Sequence, residues 1–516
     1  MLEERVLEIT RKAVSIYSPT NTAAEKEVEQ YLLQVLQDMP YFKRNQELCG
    51  AYELPEDVWQ RSCIYGLVLG KSRRTVIYMG HHDVVDTDVY GSLAEMATQP
   101  ELLVQELQKA YLDEDAEKDL ASGQWLFGRG TCDMKGGTAA QLAVLEEYAK
   151  NPDSGSMLFL SVPDEEAFSA GMRGCLPLLQ KLRERYGLTY ELAVNCEPNS
   201  RENGLQTVYT GTVGKLLPCV LVQGRSVQIG SYYEGVNPVA LLAEIVSRTE
   251  GDHSLVDTEH EEQTVPPVWN FMRDFKSSYD FSLPRRGAAY CNILTYHRQP
   301  VEVLQWLEDK CRKAADAAMA KQGSGNSAAV IRYEQLLQKA QERKGFEEFY
   351  QKLQQEMARR LQEEKTDFPA LTLWAMEQVL DFTECDEPLI IIGFAPPYYP
   401  PLSSKKLAKD FAQVERFVQT LLPLKFKNYF MGISDCSYLG AEQEPDSSFS
   451  CNAPAWGKLY SFDSKALAAL QIPFLLLGPW GKDLHRRTER VHIGSLCQEL
   501  PQVLQKLNKF IWEDKK

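Results

Sequence analysis

The chain predicts an α/β fold: a mixed, mostly parallel sheet flanked by helices, interrupted by a smaller inserted α+β domain. Three observations carry that expectation. Four short, almost wholly apolar runs, RTVIYMG, SMLFLSV, ELAVNCE and IPFLLLGPW, have the aliphatic composition of strands buried on both faces of a parallel sheet. Segments with helical spacing of apolar residues stand among them. From about Gly211 the order of elements changes to one that suits a separate α+β module.

Taken in order, MLEERVLEITRKAVSIY mixes charges into an amphipathic pattern that predicts a helix ending near Tyr17. It lacks the unbroken apolar core of a secretory signal. Thr22 and Glu25 in TAAE read as a capping box that opens a second helix through Gln37. Between Ala94 and Gly123 a polar insertion keeps apolar residues at helical spacing and is expected to pack on the outside of the sheet. GGTAAQLAVLEEYAK predicts a helix whose Gly136 and Gly137 let its start approach a metal or substrate closely.

Beyond Gly211, GKLLPCVLVQG and AAYCNILTYHR are strand-like, VNPVALLAEIVSR and PVEVLQWLEDKCRKAADAAMAK helix-like, and VIRYEQL strand-like again, with Gly323 to Asn326 as a loop. Residues 336–383, dense in Glu, Lys, Gln and Arg, read as a solvated helical connector. PLIIIGFAPPYYPP is then expected to resume the first sheet. The expected domains are 1–210 and 336–516 for the first, with 211–335 inserted.

At 516 residues the chain has room for at least two domains with full cores, typical domains being about 100 to 200 residues. Apolar residues at 44% and charged residues at 25% are those of an ordinary globular protein. The net charge of −16 disfavours nucleic acid and anionic membranes as partners. No run approaches the roughly 20 apolar residues of a membrane span, so the cytoplasm is the expected location. Twelve cysteines spread singly, without a C-x-x-C pair, argue against a zinc finger, a thioredoxin-type motif or a disulfide framework. Cys132 and Cys196 stand beside candidate ligands and read as small packed residues.

Five stretches offer metal-binding side chains: His81 in GHHDVVD, Asp133 in GRGTCDMKGG, Glu165 and Glu166 in VPDEEAFSAG, Glu197 in NCEPN and His485 in GPWGKDLHRRTERV. Four follow the apolar runs, and ligands of open α/β sheets sit beyond the carboxyl ends of strands. Two imidazoles and three carboxylates, with one carboxylate to spare, suit a pair of divalent metals that activate water. Asp83, two residues after His81, fits an orienting partner that accepts the second ring N–H. Glu165 and Glu166, adjacent and ionised, repel one another unless a cation is near. In an extended segment they point opposite ways, so one can bind metal while the other faces substrate. Taken singly, each pattern is also met in satisfied core pairs and solvated acidic turns.

Together and in this order the stretches resemble the M20 family of metallopeptidases and amidohydrolases, which includes glutamate carboxypeptidase, succinyl-diaminopimelate desuccinylase and aminoacylase. The likeness runs from SPTNTAAEKEVEQYL to HRRTERVHI, and PAWGKLYSFDSKALAAL, GISDCSYLG and APPYYPP are most similar to a branch linked to arginine utilization. The resemblance implies a zinc-peptidase-like catalytic domain with an inserted lid domain. It makes Asp133 the bridge between two metal ions, with His81 and Glu197 completing one site and Glu166 and His485 the other. Glu165 becomes the general base and Asp83 the partner of His81. Two divalent metal ions are implied, zinc with cobalt or manganese as substitutes, together with a small amide or peptide substrate, such as an N-acyl amino acid, and a homodimer through the lid domain.

One departure stands out. Members of the family commonly carry a lid histidine several residues before a Gly-x-Asn, and GRSVQIGSYYEGVN places Gln228 there. Its amide can donate a hydrogen bond but is neutral, which leaves open a weakly active or non-catalytic metal-binding protein. An enzyme with one metal site empty is also open. Asn292, Asp435 with Ser434, and Arg285 with Arg286 are candidate substrate contacts, with turn stabilisation and surface solvation as the alternatives. His82, His253, His260, His297 and His492 read as structural or surface residues.

Overall fold

The four apolar runs lie side by side. In a computed structural model that describes residues 2–259, 261–323, 328–363 and 366–513, the first sheet contains β1 (Cys49–Glu53), β2 (Ser62–Val68), β3 (Arg74–His81), β4 (Ser156–Val162), β5 (Thr189–Asn195), β6 (Leu205–Tyr209), β7 (Leu424–Lys427) and β8 (Phe474–Leu476). The spatial order is β1-β2-β4-β3-β5-β8-β6-β7, and the short strand Arg201–Glu202 pairs with β6. The run β4-β3-β5-β8 is parallel, whereas β1 and β2 join antiparallel. Within the parallel block His81 pairs with Val162, and Asn195 pairs with both Met79 and Leu476. The carboxyl ends of all four strands are therefore level, so the loops that follow them open on one edge.

Every residue of β4, and all of β3 but Arg74, is buried. Helix Lys135–Ala149 packs on β3 and β4 and against the helices Leu2–Ser15 and Leu500–Trp512. Gly137 sets its depth: a Cβ there would come within 2.2 Å of the Cys196 carbonyl oxygen. The helix can thus seat directly on the turn that carries Glu197. Cys132 and Cys196 are both fully buried.

The second helix runs Glu25–Asp38, and half of the expected box forms, with Thr22 N–H donating to Glu25 Oε1 at 3.3 Å. The Thr22 hydroxyl accepts from Ala24 N–H instead. The insertion after Ala94 builds its own small core, Leu103, Leu107, Leu112 and Ala116 against Trp125 and Phe127. It does not simply cover the main sheet: the strand Trp125–Phe127 pairs with Arg490–His492, which pairs with Gly481–Lys482.

The chain divides into two units, one of Met1–Thr212, Leu402–Glu442 and Phe462–Lys516, the other of Val213–Pro401 and Gln443–Ser461. This corrects the expected boundary at 336. Leu389–Phe394 does not resume the first sheet; it pairs antiparallel with Pro218–Gln223 and parallel with Ala329–Arg332, inside the second unit's own sheet. That sheet runs Gly214–Leu216, Arg286–Thr295, Pro218–Gln223, Leu389–Phe394, Ala329–Arg332, with Val268–Asp274 also on Arg286–Thr295. All six residues of Leu389–Phe394 are buried. Each buried Ile side chain is worth up to about 1.5–3 kcal/mol, so the strand needs partners on both sides, and its apolar run does not say which sheet supplies them.

The expected solvated connector is likewise a packed layer. Helix Phe368–Phe382 lies on the strand Pro218–Gln223, bringing Met376 Sδ to 3.8 Å from Cys219 Sγ. Residues 443–461 belong to the same unit, where Phe449 stacks on Phe394 and Tyr398. VIRYEQL splits into the strand Ala329–Arg332 and a helix from Tyr333. Of the expected loop, positions 324–326 lie outside the described residues, as does His260. Among the described residues no helix is long and apolar enough to cross a membrane.

Candidate metal centre

The level strand ends of the first unit gather the predicted ligands. His81 is the last residue of β3, Glu165 and Glu166 stand in the loop after β4, and Glu197 stands in the turn after β5. Asp133 and His485 reach the same place from the small three-stranded sheet: Asp133 follows Trp125–Phe127, and His485 lies between Gly481–Lys482 and Arg490–His492. His81 Nε2 is 3.1 Å from Asp133 Oδ1 and 3.3 Å from Glu197 Oε1. His485 Nε2 is 3.1 Å from Asp133 Oδ2 and 3.1 Å from Glu166 Oε2. The two oxygens of Asp133 thus face two different imidazoles.

Candidate ligand atoms of His81, Asp133 and Glu166 lie within 4.8 Å of one another, as do those of His81, Glu165 and Glu197. Glu165 therefore stands as close to ligand atoms as the residues expected to bind metal. Asp83 is fully buried beneath them. Its carboxylate accepts the backbone N–H of Glu165 through Oδ1 and that of Glu166 through Oδ2, both at 3.1 Å. His81 Nδ1 lies 3.0 Å from the Asp83 carbonyl oxygen and 3.4 Å from Oδ1. The expected ring contact thus runs chiefly through the backbone, and the carboxylate fixes the pair of glutamates instead.

The electrostatics fit a cation. Four carboxylates meet two imidazoles here, and carboxylates can only accept hydrogen bonds. Glu197 Oε1 is buried, and His81 Nε2, facing it at 3.3 Å, makes no well-aligned hydrogen bond to it. Burial pushes the Glu197 carboxyl up to about 8 and raises those of Glu165 and Glu166 as well. His485, hydrogen-bonded to Asp133 and Glu166, is pushed up to about 10. Burial also pushes Asp83 upward, but the His81 ring outweighs it and holds that carboxyl at about 2. Protons are thus held where the donor set, two imidazole nitrogens and carboxylate oxygens, matches the ligand chemistry of zinc and its neighbours.

A pH dependence follows for the metal-free chain. Glu197, His485, and Asp435, which burial pushes up to about 7, all bind protons more tightly folded than unfolded. Between about pH 5 and 7 the unfolded state therefore holds fewer protons, and stability falls as pH rises, by at most about 1.4 kcal/mol per unit for each group. Lys135, lowered by burial to about 7, opposes this above pH 7, where Asp435 has already lost its proton, so the fall is confined mainly to lower pH. Thermal melts in chelator are expected to show a midpoint that drops from pH 5 to 7, with most of the slope removed by zinc. A midpoint that rises over that range would contradict the arrangement.

Two buried ion clusters hold the ligand loops, and neither was read in the sequence. Glu489 Oε1 accepts the backbone N–H of Gly130, Cys132 and Asp133. Arg129 donates to Glu489 Oε2, to the His485 carbonyl at 3.3 Å and to the Asp86 carbonyl at 3.2 Å. One guanidinium thereby ties together the loops of Asp133, His485 and the segment after His81. Under the glutamate pair, Arg61 Nη1 donates to Glu25 Oε1 at 2.7 Å and to Asp164 Oδ1 at 2.8 Å. Asp164, at φ +69°, accepts from Ala170 N–H and donates its own N–H to Glu25. The only sequence signal for either cluster is a charge beside a motif.

The candidate substrate contacts fall differently. Asp435 is enclosed, facing Ser169, and does not line the cavity beside the ligands, although Gly432 and Ile433 of the same segment do. Ser434 caps the short helix Asp435–Tyr438 through Cys436 N–H. Gln228 and Asn292 belong to the second unit. Gln228 is exposed and its backbone bridges to Ser282, and Asn292 donates to Asn270. Arg286 is buried against Gln223, Glu377 and Asp381, a structural role, whereas Arg285 is exposed. His82 is fully buried beside Ser161.

Residues 111–467 match Peptidase family M20/M25/M40. The chain belongs to this family. The M20 chain is also 30% identical to the uncharacterized protein YqjN of Bacillus subtilis (strain 168), over 97% of its own length and 95% of that protein. It is 29% identical to protein RocB of the same organism, over 97% and 94%. Among solved structures, Bacillus subtilis YxeP, described as a dinuclear metal binding peptidase of the M20 family, matches with a TM-score of 0.51 at 11% identity, covering 99% of this chain and 98% of that one. This M20 protein is accordingly a hydrolytic enzyme of the metallopeptidase type.

Proposed function

We propose that the chain hydrolyses an amide or peptide bond of a small substrate, an N-acyl amino acid or short peptide, with two divalent cations. The observation that carries this is Asp133, whose carboxylate oxygens face His81 on one side and His485 on the other. Asp133 would be shared between the two cations, with His81 and Glu197 holding one and Glu166 and His485 the other. The cations, when bound, supply Lewis acidity that acidifies water and polarises a carbonyl.

The protein's own part is positional and protonic. Glu165, buried and kept protonatable by burial and by its acidic neighbours, takes the proton of the attacking water and hands it to the leaving nitrogen. Asp83 fixes the backbone of Glu165 and Glu166, so the base keeps its distance from the ligands. Gln228, at the position of the family's usual lid histidine, belongs to the second unit and carries a neutral amide that can donate a hydrogen bond. Similarity to RocB, with the sequence's likeness to an arginine-utilization branch, supports a substrate from arginine breakdown. Exposed Val268 and Met272 on the strand Val268–Asp274 support pairing of two copies through the second unit.

A panel of N-acyl amino acids and dipeptides tests this reading. Turnover is expected to vanish after chelation and to return with zinc, cobalt or manganese, at close to two metals per chain by elemental analysis. Turnover indifferent to chelation would refute it, and full activity at one metal per chain would reduce it to a mononuclear enzyme.

A further inference from the structure

Beside the ligands the first unit holds a cavity of about 230 Å³, bounded on one side by Glu165, Glu166, Glu197 and His485. Its other wall is mostly apolar, with Pro198, Tyr209, Phe430, Ile433, Leu476 and Leu484, and its one polar amide, Asn199, is bonded to the backbone of Gly478 and Leu476. Tyr209 and Phe430 meet edge to face, ring centres 5.2 Å apart, which stiffens that wall. Among the described residues that line it there is no lysine or arginine. The cavity is below the roughly 300–1,000 Å³ of sites that enclose a whole ligand, so it takes one group of a substrate.

From this we infer that the cavity receives the uncharged, apolar group of the substrate, an aliphatic or aromatic acyl chain or side chain, and excludes one ending in a carboxylate. The inference rests on the hydrolase reading and narrows its substrate class. A carboxylate-terminated acyl group such as succinyl would lose its hydration against the apolar wall, where no lysine or arginine stands to replace it. An apolar chain gains about fourfold in binding for each methylene buried, by the usual value of burying one.

The test uses binding rather than turnover. Calorimetric titration of the zinc-loaded protein compares 4-methylpentanohydroxamic acid with succinic monohydroxamic acid, which are alike in shape and differ in charge. The apolar probe is expected to bind at least tenfold tighter, and Phe430→Arg to level or reverse the order. Equal binding, tighter binding of the succinyl probe, or an order unmoved by Phe430→Arg overturns the inference and leaves the hydrolase reading intact. If neither probe binds and no panel substrate is turned over, the hydrolase reading falls and the inference with it.

Discussion

Glu165→Gln is expected to lower kcat by roughly 10²–10⁴-fold, the usual contribution of a general acid–base group, while two metals per chain remain. The amide keeps the size and the acceptor oxygen of the carboxylate but cannot take a proton. Metal content is the discriminating readout, because Glu165 shares a cluster of mutually close ligand atoms with His81 and Glu197. If it were a ligand, the substitution would strip a cation, and activity and metal would fall together. Loss of activity at full metal content assigns the base; loss of both reassigns Glu165 to the metals. A thermal midpoint close to that of the parent protein in zinc completes the measurement.

Asp133→Ala should be the most damaging single change at the centre. Both oxygens of this side chain are engaged, each toward a different histidine, so its removal is expected to empty both sites. By contrast His485→Ala is expected to empty one. Elemental analysis after gel filtration gives the stoichiometry directly. A thermal measurement gives it independently, because zinc at a hundredfold excess over its Kd stabilises the folded chain by about 2.7 kcal/mol for each site. That increment should disappear in Asp133→Ala and be halved in His485→Ala. An Asp133→Ala protein that keeps one tightly bound zinc would show that the aspartate serves a single cation.

Much of this centre was legible because its determinants are local. An aliphatic run followed by a histidine or carboxylate marks a buried strand end with a donor on it, and β3, β4 and β5 carry that pattern within a few residues. What stayed hidden depends on pairing across the chain. Leu389–Phe394 is a buried apolar run like the middle of β3, and nothing in LIIIGF says that its neighbours are Pro218–Gln223 and Ala329–Arg332. Arg129 and Glu489 are separated by 360 residues, so their pairing leaves no periodicity to read. For Asp435 the sequence offers a substrate contact or a turn role without deciding between them, and the fold buries the carboxyl and puts Gly432 and Ile433 at the cavity.

The position of β8 has a temporal meaning. Phe474–Leu476 lies between β5 and β6, which are made some 270 residues earlier, and pairs with both. A ribosome releases the amino-terminal part first, so during synthesis that part of the sheet carries an unfilled slot. The loop bearing His485 follows this strand, and until the slot closes the Asp133 loop lacks its Glu489 anchor. Hydrolytic competence is therefore withheld from the nascent polypeptide until the segment from Phe474 to Glu489 has followed the earlier strands out.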